Sequence, residues 1–238
     1  MKPIQIAILA TSLQLPTHAA LTYIDTSSIR AFIPSETNEW DVFTDALTDP
    51  NSPDITSEGI ASLIQTTPGA FVTSGGNIYA PSSFTNYELN YAAGFINSTT
   101  STYIGNVVLQ LATFGSTLDY SSMTLTYTDH SSATFVATPV GFQNDPTIIS
   151  FTPPGGSPTT STNDRVAYQW NLDGLEAVSF TIGFSSAGTS MSLGGVALDT
   201  ASTGSPFQAL VIPEPQTALL FSIASAALLL RRRKSAAI

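Results

Sequence analysis

Apolar and small or polar residues alternate strictly along residues 178–184, which place Val178, Phe180, Ile182 and Phe184 at every second position. Since successive side chains of a strand point to opposite faces, this period predicts a strand with one buried face. The same period recurs in segments separated by turn residues, with no helical stretches between them, and about ten such strands predict an all-β fold, a β-sandwich of jelly-roll type. The other segments are 70–74, 78–80, 87–91, 103–114, 123–127, 134–138, 148–151, 166–170 and 191–198.

The part of the chain that precedes these strands has a different period. Trp40, Phe43 and Leu47 are spaced as i, i+3 and i+7, which places them on one face of a helix. Ser35 offers an N-cap, and acidic residues follow it in the first turn. The pattern predicts a short helix over residues 36–47.

The first twenty residues have the layout of a secretory signal peptide. Lys2 is followed by an apolar stretch over residues 4–15 and by small residues around Ala19 and Ala20. Signal peptidase recognises this arrangement, and cleavage is expected after one of these two alanines. The leader is therefore left out of the fold.

The C-terminus carries a short apolar run that ends in four basic residues. Residues 217–230 have no charged side chain, and Arg231, Arg232, Arg233 and Lys234 follow at once. A helix of this length covers roughly 20 Å, and long basic side chains extend such a span by reaching to the headgroups. Because basic clusters stay on the cytoplasmic side, we expect a transmembrane helix with the body outside. The alternative is an amphipathic or core helix with a basic cap.

Pro213, Glu214 and Pro215 precede this run by one residue, Gln216. The motif, the short span and the arginine-rich end resemble, in order, the PEP-CTERM sorting signal of Gram-negative bacteria. The resemblance implies cleavage at or near the motif by an exosortase, a membrane protease, and export to the cell surface or an extracellular polysaccharide matrix. The expected units are a signal peptide at 1–20, an ectodomain at 21–200, a linker at 201–212 and a sorting signal at 213–238, with its transmembrane helix at about 217–230 and its basic tail at 231–234.

A second resemblance concerns the end of the body. Residues 168–173, 178–184 and 190–200 resemble the closing strands of carbohydrate-binding-like ectodomains that often precede this signal. Jelly rolls of that type often hold one structural calcium ion through carboxylates and backbone carbonyls. Asp25 and Asp199 are the candidate ligands, because they would meet if the terminal strands pair; the alternative is that both are solvated acids.

Charge and cysteine content exclude several function classes. The chain has no cysteine, so disulfides and thiol chemistry are excluded. The whole chain has a formal charge of −10, but the body has only Arg30 and Arg165 against sixteen acidic residues, a net charge of −14. Such a body disfavours nucleic acid and anionic membrane surfaces as partners.

The body offers little for catalysis. His130 is its one histidine and stands between Asp129 and Ser131 in a predicted surface turn, where neighbouring side chains would diverge. One histidine without cysteine cannot build a zinc site, and no nucleophile elbow is present. Two of the scattered acids could still form a glycosidase pair, which leaves a secreted polysaccharide hydrolase as an alternative.

Aromatic side chains would form the stacking platform of a sugar-binding site, although most aromatics at period two face the core. The sequence thus predicts an exported, non-enzymatic surface or matrix protein, with exosortase and signal peptidase as processing partners and polysaccharide as the ligand class. A purely structural coat component is a further alternative. The aromatic candidates are Trp40, Tyr79, Tyr87, Tyr91, Tyr103 and Trp170.

Overall fold

The computed structural model describes residues 35–47, 49–57, 59–94, 102–151, 157–205 and 209. These residues form fourteen strands and no helix, which confirms the predicted all-β class. All of their strand pairings are antiparallel. The strands are β1 (Ser35–Trp40), β2 (Ile55–Thr56), β3 (Ile60–Gln65), β4 (Phe71–Val72), β5 (Ile78–Ala80), β6 (Asn86–Ala92), β7 (Ile104–Gly115), β8 (Leu118–Asp129), β9 (Thr134–Ala137), β10 (Gly141–Asn144), β11 (Thr147–Phe151), β12 (Thr159–Asn171), β13 (Ala177–Ser186) and β14 (Met191–Ser202).

The strands form one branched sheet, which we describe as two limbs. The first limb has the order β2-β1-β14-β7-β12, with β5 beside β14 and β4 beside β5, and with β10 and β11 beside β12. The second limb has the order β3-β6-β13-β8-β9. Among the described residues, the pair Ala177 and Ile104 joins β13 of the second limb to β7 of the first.

Alternation along the strands builds a single main core from the inner faces of both limbs. On β13, Phe180, Ile182 and Phe184 are buried while the residues between them are half-buried. The rings of Tyr87 and Phe184 stack with their centroids 5.0 Å apart, which packs β6 against its neighbour. Burying side chains of this size removes enough apolar surface from water to dominate the stability of the fold. The largest fully buried side chains include Trp40 and Trp170.

The outer faces of the two limbs differ. On the first limb, Val108, Ala167 and Ala201 form a small second cluster, and Asp199 is fully buried on the same face. On the second limb the outer face is open, and Ile60 at its edge is 77% exposed. The open face is therefore the broad sheet surface that a ligand can reach.

The predicted helix over residues 36–47 is wrong. The first part of this segment is β1, which pairs with β14 so that Trp40 lies opposite Val196. Glu36, Asn38 and Trp40 point inward at a period of two, and pairing with a distant strand outweighs the local helical spacing. None of the described residues belongs to a helix that could cross a membrane.

Besides β1, three strands, β2, β3 and β10, were not predicted from the sequence. Strand β14 continues to Ser202, two residues into the segment predicted as a linker. The signal peptide at 1–20 and the sorting signal at 213–238 lie outside the described residues, so both remain predictions.

Candidate functional site

The open face of the second limb carries a shallow groove of about 370 Å³, which we call the polar groove. Its lining is mostly hydroxyl and amide side chains, and it includes no Asp, Glu, His, Lys or Arg. Such groups both donate and accept hydrogen bonds. The polar lining comes chiefly from Ser62, Asn90, Thr126, Thr128, Ser179 and Thr181.

Strand register brings these side chains together. Ser62 lies opposite Asn90 on β6, and Asn90 lies opposite Thr181 on β13. Thr181 in turn lies opposite Thr126 on β8, so four polar residues form one row across four strands. The Thr181 hydroxyl donates a hydrogen bond of 2.7 Å to Asn90 Oδ1, which fixes both side chains. The row is rigid because each residue sits in a paired strand.

The polar groove continues towards a second depression of about 220 Å³ on the same face. Gly183 lines this second depression, opposite Glu88 and Thr124 on the two neighbouring strands. A Cβ at Gly183 would approach Thr124 Oγ1 to 3.2 Å, so a side chain at this position would crowd Thr124. Glu88 is the one acidic or basic side chain among the residues that line either depression.

A second surface feature is formed by Tyr120 on β8 of the second limb and by Phe142 and Asn144 on β10 of the first limb. We call these three residues the aromatic platform. The rings of Tyr120 and Phe142 have centroids 5.4 Å apart, and Tyr168 lies 4.8 Å behind Phe142. Tyr168 then stacks on Trp170 at 5.9 Å, so aromatic contacts run from the surface into the core.

The hydroxyl of Tyr120 is held from two sides. It donates to Asp164 Oδ2 at 2.7 Å and accepts from Asn144 Nδ2 at 2.8 Å. Burial, followed by the hydrogen bond and the charge of Asp164, raises the pKa of Tyr120 to about 12, so the hydroxyl keeps its proton at neutral pH. Asp164 is 1% exposed, and its Oδ1 has no hydrogen-bond partner among the described residues.

The structure distributes the predicted aromatic candidates as expected, with most of them in the core. Tyr79 and Tyr103 are half-buried. Tyr120 and Phe142 were not among the predicted candidates, because each lies in a polar stretch with little alternation of hydrophobicity. A large aromatic residue within such a polar stretch is the sequence feature that would have identified them. The four candidates that the core buries are Trp40, Tyr87, Tyr91 and Trp170.

The predicted surface turn at His130 is confirmed, but one detail differs. Asp129 and Ser131 do contact each other, since Asp129 Oδ1 accepts from the Ser131 amide at 2.9 Å and its hydroxyl at 2.7 Å. His130 Nδ1 instead lies 2.7 Å from Glu176 Oε2, and both side chains are about half exposed. The three neighbours therefore do not assemble a catalytic triad.

Asp199, one of the two calcium candidates, is buried in β14 opposite Thr37, whose hydroxyl donates to Asp199 Oδ1 at 2.8 Å. Asp25 lies outside the described residues, as do Pro213, Glu214 and Pro215. Within the described ranges, no three His, Asp or Glu side chains are grouped so as to hold a metal ion.

No protein-family model matches the chain, and no curated protein does. Among solved structures, one similar chain is that of AvmM, described as catalysing macrocyclization in alchivemycin A biosynthesis. It is 11% identical, the match covers 63% of this chain and 67% of that one, and the TM-score is 0.23. A likeness at that level carries no argument about fold or function.

Proposed function

We propose that the chain is an exported, non-enzymatic surface or matrix protein whose all-β domain, of jelly-roll type, binds uncharged polysaccharide along the polar groove. The proposal combines the two end signals of the sequence with one structural observation. That observation is a rigid, uncharged row of hydroxyl and amide groups on the open face of the second limb.

The chemistry of the polar groove fits sugar hydroxyls better than ionic ligands. Each sugar hydroxyl donates and accepts, as do the side chains of Asn90, Thr126 and Thr181. Strands hold these groups in place before binding, so little conformational entropy is lost. The acidic body, with Glu88 beside the groove, repels anionic polymers.

The binding claim is tested by calorimetric titration of the full chain with uncharged glucan, galactan and mannan oligosaccharides. Thr126→Val and Thr181→Val remove a hydroxyl with little change in shape. Each is expected to weaken binding by roughly two- to tenfold, the loss that one hydrogen bond produces. Thr160→Val, an exposed threonine on β12 of the first limb, is the matched control. Equal binding by all three variants would overturn the groove assignment.

The sorting claim is tested by the intact mass of the protein from the cell surface, the medium and the inner membrane. We expect loss of about twenty N-terminal residues and of everything beyond Pro213–Pro215. Alanine at Pro213, Glu214 and Pro215 is expected to leave the arginine-rich tail in place. Processing that is unchanged in this variant would reject the exosortase route.

The same glycans decide between the proposal and its alternatives. Turnover of a bound glycan that one Asp→Asn change abolishes would establish a hydrolase. Absence of binding to every glycan, together with self-assembly of the purified protein, would establish a structural coat component.

A further inference from the structure

We propose that the aromatic platform of Tyr120, Phe142 and Asn144 is a second sugar-binding site, which takes one uncharged pyranose ring. This inference rests on the proposed function, since it presumes that the domain meets polysaccharide. It adds a site away from the polar groove, between β8 of the second limb and β10 of the first.

The two rings of the platform are accessible and rigid. Tyr120 and Phe142 are 37% and 39% exposed, which is enough for a ligand to cover one ring face. Phe142 is supported from behind by Tyr168, which is itself buried. An aromatic ring held in this way offers a flat apolar surface to the C–H face of a sugar, and few side-chain torsions are lost on binding.

The polar rim of the platform is also fixed before binding. Asn144 Nδ2 donates to the Tyr120 hydroxyl, which itself donates to the buried carboxylate of Asp164. Exposed Asn144 still has an amide oxygen and a second N–H for sugar hydroxyls. Apolar ring faces beside a few oriented polar groups are the usual composition of a small-ligand site.

Charge restricts the kind of sugar. Asp164 lies behind the Tyr120 hydroxyl, from which it accepts a hydrogen bond. Burial, and then nearby negative charges that include Asp119, raise the pKa of Tyr168, the residue that packs behind Phe142. Asp164 is buried too deeply to touch a ligand, but its negative charge behind Tyr120 disfavours an anion at the platform. We therefore assign an uncharged sugar ring rather than a uronic acid.

The test titrates the full chain with the same uncharged oligosaccharides and with oligouronates. Phe142→Ala is expected to weaken binding of uncharged glycans by roughly tenfold, and Asn144→Ala by roughly threefold, magnitudes typical of one lost contact. Phe71→Ala is the matched control, because Phe71 is 49% exposed and its ring packs on one tyrosine, Tyr79. If Phe142→Ala fails to fold by circular dichroism, Phe142→Leu tests the ring with most of the volume kept.

The outcomes separate this site from the polar groove. Binding that Thr126→Val weakens and Phe142→Ala leaves unchanged would overturn the platform while the proposed function stands. Tighter binding of oligouronates would overturn the uncharged assignment. The absence of glycan binding by the unmodified protein would reject both proposals together.

Discussion

The hydroxyl of Tyr91 donates a hydrogen bond to the carboxylate of Glu36, although the two residues lie 55 positions apart and on different limbs. Tyr91 Oη also lies 2.8 Å from Thr200 Oγ1, and the Gly94 amide donates to the other oxygen of Glu36 at 3.1 Å. Burial, then the hydrogen bond that Tyr91 donates to Glu36, raises the pKa of Tyr91 far above its ordinary value. The contact ties the inner faces of the two limbs through a buried polar group.

Removing the Tyr91 hydroxyl is therefore expected to destabilise the fold. Tyr91→Phe leaves the buried Glu36 carboxylate without one of its donors, at a cost of about 1–3 kcal/mol in the free energy of unfolding. Urea unfolding followed by tryptophan fluorescence measures the loss. Tyr79→Phe, at a half-buried tyrosine, is the control and should change little. A loss no larger than that of the control would show that the contact adds nothing to stability.

The space around the same contact predicts a second effect. A Cβ at Gly59 would lie 2.7 Å from Tyr91 Cε2 and would also press on the Glu36 carboxylate. Gly59→Ala is expected to cost about 1–3 kcal/mol, as overpacking of a buried site does. At Gly75 the nearest atom to a new Cβ is Thr73 Oγ1 at 3.8 Å, so Gly75→Ala should stay within about 0.5 kcal/mol. Equal effects of the two substitutions would contradict this packing.

The same pair explains why β1 escaped prediction. The strands found from the sequence, such as β13, bury an apolar residue at every second position. In β1 two of the three inward positions are polar, Glu36 and Asn38, so no alternation of hydrophobicity is visible. Their partners, Tyr91 for the first and Thr56 for the second, are fixed only by the tertiary fold. A buried polar strand cannot be recognised without knowledge of those partners.

Only part of the candidate site could be predicted from the sequence. Alternation on β6, β8 and β13 already places Asn90, Thr126 and Thr181 on outward faces. Whether these three residues lie side by side in one row depends on the register of two strand pairs, β6–β13 and β13–β8, which the turn residues do not specify. The position of Phe142 is still harder to predict from the sequence. Its strand, β10, has four residues, and its place in the sheet follows from pairing with β12.

The segment after β1 is organised by Asn51, which supplies a third prediction. Its Oδ1 accepts from the amides of Thr44 and Asp45 at 2.8 and 2.9 Å, and its Nδ2 donates to the Asp45 carbonyl at 2.9 Å. Asn51 is 1% exposed, so these backbone groups have little access to water as a substitute. Asn51→Ala should cost about 2–4 kcal/mol, the sum expected for several buried groups left unpaired.

Chemical denaturation checks the Asn51 prediction against Asn77→Ala, at a half-buried asparagine in the turn between β4 and β5. Hydrogen exchange gives a finer readout, because the amides of Thr44 and Asp45 should exchange faster in Asn51→Ala. Unchanged protection of those two amides would show that the side chain does not hold the segment.

The last prediction concerns acid and the turn after β8. Bonds from the Ser131 hydroxyl, and then from the Ala133 amide, hold the pKa of Asp129 below its ordinary value of 3.8. Since the folded state favours the charged carboxylate, this contribution to stability is complete above the ordinary pKa and is lost as the pH falls through the lower, folded value.

Asp129→Asn keeps an acceptor oxygen for the turn but removes the charge. We expect the difference in unfolding free energy between the unmodified protein and this variant to be constant at neutral pH and to shrink below about pH 4. Asp49→Asn is the control, because no described hydrogen bond reaches the Asp49 side chain. Urea unfolding at a series of pH values between 2 and 7 measures both differences. A difference for Asp129→Asn that stays constant down to pH 2 would mean that the turn is held by the shape of the side chain and not by its charge.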